Sequence, residues 1–167
     1  MAQVRSEKRR RLAVLDAPTD LGLKPSGVDG LAGALRGTGL VEQLGATYAG
    51  EVRALPYDAA RDPETKLLNS AGIRDHVTRL ADAVGGLLDQ GDFPIVLGGD
   101  DSILLGCALA NRRRGRRGLV FIDGHTDFLP ARTIANGRGI RLRLCAYNGA
   151  RPGRAGEHRR LEPTRAR

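Results

Sequence analysis

The segment Phe121-Ile-Asp-Gly-His-Thr-Asp-Phe128 concentrates the residue types in this chain best able to do chemistry. Asp123, His125 and Asp127 stand at i, i+2 and i+4, and in an extended backbone residues two apart share a face. Two carboxylates and an imidazole then project together, with Gly124 keeping the backbone between them uncluttered and Thr126 able to hydrogen-bond a neighbouring ligand side chain. Hard oxygen donors with one imidazole suit Mn²⁺ or another divalent first-row ion better than a thiolate-seeking metal. One carboxylate can bridge two ions through its two oxygens, and a two-ion centre activates water for hydrolysis at neutral pH without a covalent intermediate. The alternative for so short a pattern is an ordinary strand-to-loop turn with a capping aspartate.

Such a triplet needs a scaffold that presents it. Leu119-Val-Phe-Ile122 reads as a buried strand leading directly into it, and ligands in open parallel sheets bind at the C-terminal strand ends. Pro94-Ile-Val-Leu97 reads as another strand, running into Gly98-Gly99-Asp100-Asp101-Ser102 and then a helix from about Ser102 to Asn111. Strand, helix and strand within some thirty residues predict a βαβ unit in a parallel sheet, joined through the basic turn at 112–117. The two glycines permit a close backbone approach to a ligand or metal, and Asp100 and Asp101 are expected on the same rim as the triplet. The other reading is a Gly-rich turn in which Asp100, Asp101 or Ser102 caps the helix, Ser102 above all.

Upstream, Leu12-Ala-Val-Leu15 predicts an opening strand closed by the turn-prone Asp16-Ala-Pro-Thr. Residues 27–40 predict a weak, glycine-rich helix followed by a loop, and 57–66 a surface connection. From Asn69 to Gln90, Ile73, Val77, Leu80, Val84, Leu87 and Leu88 recur at steps of three and four, a helix with Asn69 or Ser70 at its N-cap.

Gly-Gly-Asp-x-Ser with an apolar helix, then an apolar strand and Asp-Gly-His-x-Asp, resembles the paired signatures of the arginase, agmatinase and formimidoylglutamase (ureohydrolase) family. Asp16-Ala-Pro-Thr-Asp-Leu-Gly22 and Gly33-Ala-Leu-Arg36-Gly-Thr-Gly-Leu40 are similar to that family's opening strand and its small-residue helix ending in Leu-Arg. The resemblance spans roughly residues 12–136, with the second signature its most specific part. It implies a three-layer arginase-like α/β fold, a parallel sheet with flanking helices, here incomplete. It also implies two Mn²⁺ ions, with Asp123 bridging them, His125 on one and Asp127 on the other. The implied reaction is hydrolysis of the C–N bond of a guanidino (arginine- or agmatine-like) substrate, and the implied assembly a homo-oligomer.

Two departures accompany the resemblance. The family's first ligand is the His of Gly-Gly-Asp-His-Ser, a position held here by Asp101, which can bind a hard cation with a different charge and reach. The family's downstream Asp-x-Asp ligands and proton-shuttling His have no counterpart, since no Asp follows Asp127 and His158 is the sole later histidine. The expectation is a truncated N-terminal portion, and the alternative to an active enzyme is a catalytically inactive relic.

Composition changes abruptly after Asn136. Of the net charge of +8, residues 137–167 hold nine Arg, no Lys and two Glu, or +7, which leaves +1 for residues 1–136. The domain is therefore assigned to 1–136. The Arg-, Gly- and Pro-rich tail at 137–167 is expected to be a disordered basic extension or the product of a shifted reading frame. A nucleic-acid-binding protein, the other reading of such basicity, lacks aromatic stacking residues and a recognised motif. No apolar run approaches the ~20 residues of a membrane span, and Cys107 and Cys145 have no framework spacing. A soluble, cytoplasmic protein with reduced thiols, a small-molecule partner, and neither membrane nor nucleic acid is expected.

Overall fold

A computed structural model describes residues 10–64, 67–115 and 118–122. Three parallel strands form one sheet in the order β2-β1-β3, with β1 at Leu12–Ala17, β2 at Thr47–Glu51 and β3 at Phe93–Gly98. Helices α1 (Leu31–Gly37), α2 (Leu40–Gln43), α3 (Ser70–Asp89) and α4 (Ile103–Arg113) complete the element order.

The central strand explains the layering. Residues 13–17 of β1 are all buried, which requires cover on both faces because successive side chains alternate across a strand. On one face Leu15 and Ala17 pack with Leu80, Ala81 and Val84 of α3 and Cys107 and Ala110 of α4. On the other, Val14 and Leu97 pack with Ala32 of α1, joined by Leu35, Leu40 and Ile95. The result is the expected three layers, helix, sheet and helix. Gly106 seals the α3–α4 contact, since a β-carbon there would press on the Leu80 side chain.

β1 and β3 pair without interruption from Leu12↔Phe93 to Ala17↔Gly98, while the β1–β2 ladder carries an irregularity between Val14 and Asp16. The strand expected at 12–15 thus runs on to Ala17, because Asp16 pairs with Glu51 and Leu97 and Ala17 pairs with Gly98. β2 has no counterpart in the hydrophobic pattern: Thr47-Tyr-Ala-Gly-Glu is mostly exposed. An edge strand is specified by its ladder rather than by burial.

Residues 119–122 correct a second expectation. They form no strand, Leu119 packs against the α3–α4 core, and Val120 and Ile122 are 81% and 94% exposed. A strand is defined by its pairing partners, and among the described residues the far edge of β3 carries none. The parallel sheet stands, but the second strand of the expected βαβ unit is absent from it.

The basic turn has a structural account. Arg113 pairs with Asp82 at 2.6 Å and Arg114 with Asp89 through two contacts of 2.7 and 2.5 Å, fastening the end of α4 to α3. These guanidinium groups are committed to carboxylates. None of the described helices is long and apolar enough to cross a membrane.

Candidate functional site

The C-terminal ends of β1 and β3 lead into two loops, residues 18–22 and 99–102, that form the rim where an open parallel sheet places its ligands. Asp100 joins them. Its side chain is 2% exposed, one oxygen accepts the Ser102 amide at 2.7 Å and the other accepts the Gly22 amide at 2.7 Å. The Asp100 amide in turn donates to the Thr19 carbonyl at 2.8 Å. Gly99 makes this possible, because a β-carbon there would collide with the Thr19 carbonyl. The close approach expected of the glycine pair is therefore made toward a protein backbone, and at Gly98 the space is filled by the Ile103 side chain.

The capping expectations are also corrected. Ser102 occupies the N-cap of α4 without a side-chain cap hydrogen bond, and its buried Oγ has no partner. Asp100 already accepts from the Ser102 amide and closes the turn instead. Asn69 occupies the N-cap of α3 in a left-handed conformation (φ 50°) and does not cap it either. Its Oδ1 accepts the Asp58 amide at 2.6 Å and its Nδ2 donates to the Leu21 carbonyl at 3.0 Å. Ordinary side chains avoid this backbone region, and an Asn with both ends of its amide engaged tolerates it. A cavity of about 320 Å³ opens beside it, bordered by Leu55, Pro56, Asp58, Asp62 and Asn69.

Acidic groups gather around Asp20 at the rim. Partial burial, then the neighbouring charges of Asp29 and Asp100, push the Asp20 carboxyl above its ordinary value. At the end of β1, Asp16 is 1% exposed and accepts from Arg36 Nε at 2.6 Å, while Arg36 also lies 4.7 Å from the centre of the Tyr48 ring. The hydrogen bond that Arg36 donates to Asp16, then the Asp16 charge, raises the guanidinium pKa further. No sequence signal marked this pair, since a carboxylate inside an apolar strand reads as the strand's end.

Of the four residues expected to hold metal, Asp101 is described. It lies half-buried at the entrance to α4, its carbonyl accepting the Leu104 amide at 3.0 Å. Asp123, His125 and Asp127 lie outside the described residues. Among the described residues no group of three His, Cys, Asp or Glu comes together as a metal site. Asp100, the other acid of the turn, has both oxygens engaged by the Gly22 and Ser102 amides.

A parallel three-layer sheet with a Gly-Gly-Asp turn clamped across its C-terminal rim defines an α/β protein of the kind that binds ligands at strand ends. The profile of the Arginase family matches residues 10–154, and the chain belongs to that family. It is 30% identical over 145 residues to the arginase of Bacillus caldovelox, covering 83% of this chain and 48% of that one. It is 31% identical over 134 residues to the arginase of Bacillus subtilis strain 168, covering 77% and 45%. The crystal structure of the Bacillus caldovelox arginase superimposes with a TM-score of 0.74 at 28% identity. The chain spans about half the length of the relatives it matches.

Proposed function

We propose that the chain carries the first part of a manganese-dependent ureohydrolase acting on the C–N bond of a guanidino substrate of the arginine or agmatine kind. The observation that carries this reading is the pairing of two signatures within the matched span, Gly98-Gly99-Asp100-Asp101-Ser102 on the clamped rim and Asp123-Gly-His-Thr-Asp127 further on. Asp101, Asp123, His125 and Asp127 are the residues that would hold the metal. When bound, a pair of divalent ions supplies Lewis-acid activation of water. The chain's own contribution would be to supply these donors and to surround a cationic substrate with acidic groups, Asp20 and Asp29 among them. Hydrolysis adds water oxygen to the guanidinium carbon while the nitrogen of the cleaved bond leaves with a proton, giving urea and an amine.

Calorimetric titration of Mn²⁺ into the full chain and into Asp123→Ala, with urea release from arginine and agmatine measured alongside, tests the proposal. Saturable binding that the variant loses, together with urea release, is the expected result. Binding that is absent, or unchanged in Asp123→Ala, would overturn the assignment of the ligands. Binding without urea release would favour the inactive relic, a reading supported by Asp101 standing where the family carries His.

A further inference from the structure

His76 is fully buried in α3 and belongs to neither signature. One ring nitrogen, Nε2, bonds the Val52 carbonyl at 2.8 Å, and the other, Nδ1, is buried without a partner. A carbonyl only accepts, so Nε2 carries the hydrogen and Nδ1 presents a bare lone pair in the neutral ring. Protonation would place a second N–H, and a charge, where no acceptor stands among the described residues.

Val52 is the first residue after β2 and belongs to a strap along the rim. Its amide donates to the Asp16 carbonyl at 2.8 Å, and the Ala54 amide donates to the Pro18 carbonyl at 3.2 Å. The strap continues to Leu55, Pro56 and Asp58, which border the 320 Å³ cavity. We infer that His76 is a pH-sensitive latch: neutral, it fastens the 52–58 strap to α3, and protonated, it releases the strap from the rim.

The surroundings support the direction. Burial, as the largest influence, pushes the imidazole pKa below its ordinary 6.5, and Arg79 acts the same way, while the Val52 hydrogen bond, Asp100 and Asp75 oppose them. These charges are themselves engaged: Arg79 bonds Asp75 and the Arg53 carbonyl, and Asp100 holds the Gly22 and Ser102 amides. From β1, the Asp16 carboxylate is turned to Arg36. α4 brings Cys107 to the shared core, uncharged because burial raises its thiol to about 11. Among the described residues Nδ1 has no hydrogen-bond partner, so the open strap is the state in which His76 holds a proton. The latch is fully closed above 6.5 and loosens as pH falls below that value.

Amide hydrogen exchange of Val52 and Ala54 in the full chain, corrected for intrinsic rates, tests this between pH 7.5 and 5, together with the His76 nitrogen shifts. Protection of these two amides is expected to fall by up to about tenfold per pH unit, the slope for uptake of one proton. The Leu15 amide of β1 and the Leu97 amide of β3, which face each other's strand in the β1–β3 ladder, should keep theirs. His76→Gln retains an N–H donor and cannot titrate, and its strap protection should not depend on pH. Unchanged strap protection in the wild type would overturn the proposal. So would an imidazole that titrates at its ordinary value with Val52 still protected, or the same pH dependence in the Gln variant. The wild-type measurements decide the matter if the variant does not fold.

Discussion

The Asp100 carboxylate accepts the Gly22 amide at 2.7 Å across 78 residues of sequence. That bond, with the one to Ser102, makes the loops after β1 and β3 a single unit. Asp100→Asn puts an NH₂ group against one of two buried amide donors, and the expected loss is about 3 kcal/mol, the scale of charge-assisted hydrogen bonds whose donors stay buried. Urea unfolding monitored by circular dichroism measures it. A loss below 1 kcal/mol would mean that the rim relaxes around the change.

Two glycines should respond in opposite directions. Gly99→Ala drives a methyl group into the Thr19 carbonyl and is expected to cost about 3 kcal/mol or more, or to prevent folding. Gly86 in α3 has open space around its missing β-carbon, so Gly86→Ala should stabilise by about 0.5–1 kcal/mol through helix propensity. Thermal melts of the two variants beside the wild type check both signs.

At Asn69 backbone strain and side-chain bonding can be separated. Asn69→Gly keeps the left-handed conformation without penalty but loses the bonds to Asp58 and Leu21. Asn69→Ala loses the same bonds and adds steric strain, so it should be the less stable of the two by about 1 kcal/mol. Equal melting midpoints for the pair would show that the backbone leaves the positive φ when the side chain is removed.

Cys107 should be chemically silent. Its thiol is raised from 9.0 to about 11 by burial, which cuts the thiolate fraction near pH 8 by about a hundredfold. In a Cys145→Ser variant, where Cys107 is the remaining thiol, iodoacetamide labelling followed by mass spectrometry should be at least that much slower in the folded chain than in urea. Comparable rates would place Cys107 at the surface.

Elements buried on a repeating pattern were legible in the sequence. α3 follows the steps from Ile73 to Leu88, and β3 the apolar run ending in two glycines, while the parallel sheet was expected from strand–helix–strand spacing and its three layers from the family resemblance. β2 did not, because an exposed edge strand leaves no hydrophobic alternation to read. At the rim, residue types were read correctly and their work was not. Asn69 and Ser102 looked like caps, but Asn69 ties two loops together and Asp100 takes the place of Ser102. The partners Leu21, Asp58 and Gly22 are distant in sequence, and no local pattern signals a bond over such a span. Leu119–Ile122 failed as a strand for a related reason, since an apolar run becomes a strand only where a ladder receives it. His76 was missed because one histidine among helical residues carries no spacing.

The span between Gly22 and Asp100 also sets a schedule for the nascent chain. At roughly 5–20 residues per second on the ribosome, the 78 residues separating them take about 4–16 s to appear. Until β3 is made the first strand has β2 as its one strand neighbour, and the side chains of Leu15 and Ala17 gain α3 before Asp100 appears but wait for α4 beyond it. Chaperone occupancy of the opening segment should therefore end only when the Gly-Gly-Asp turn emerges from the exit tunnel.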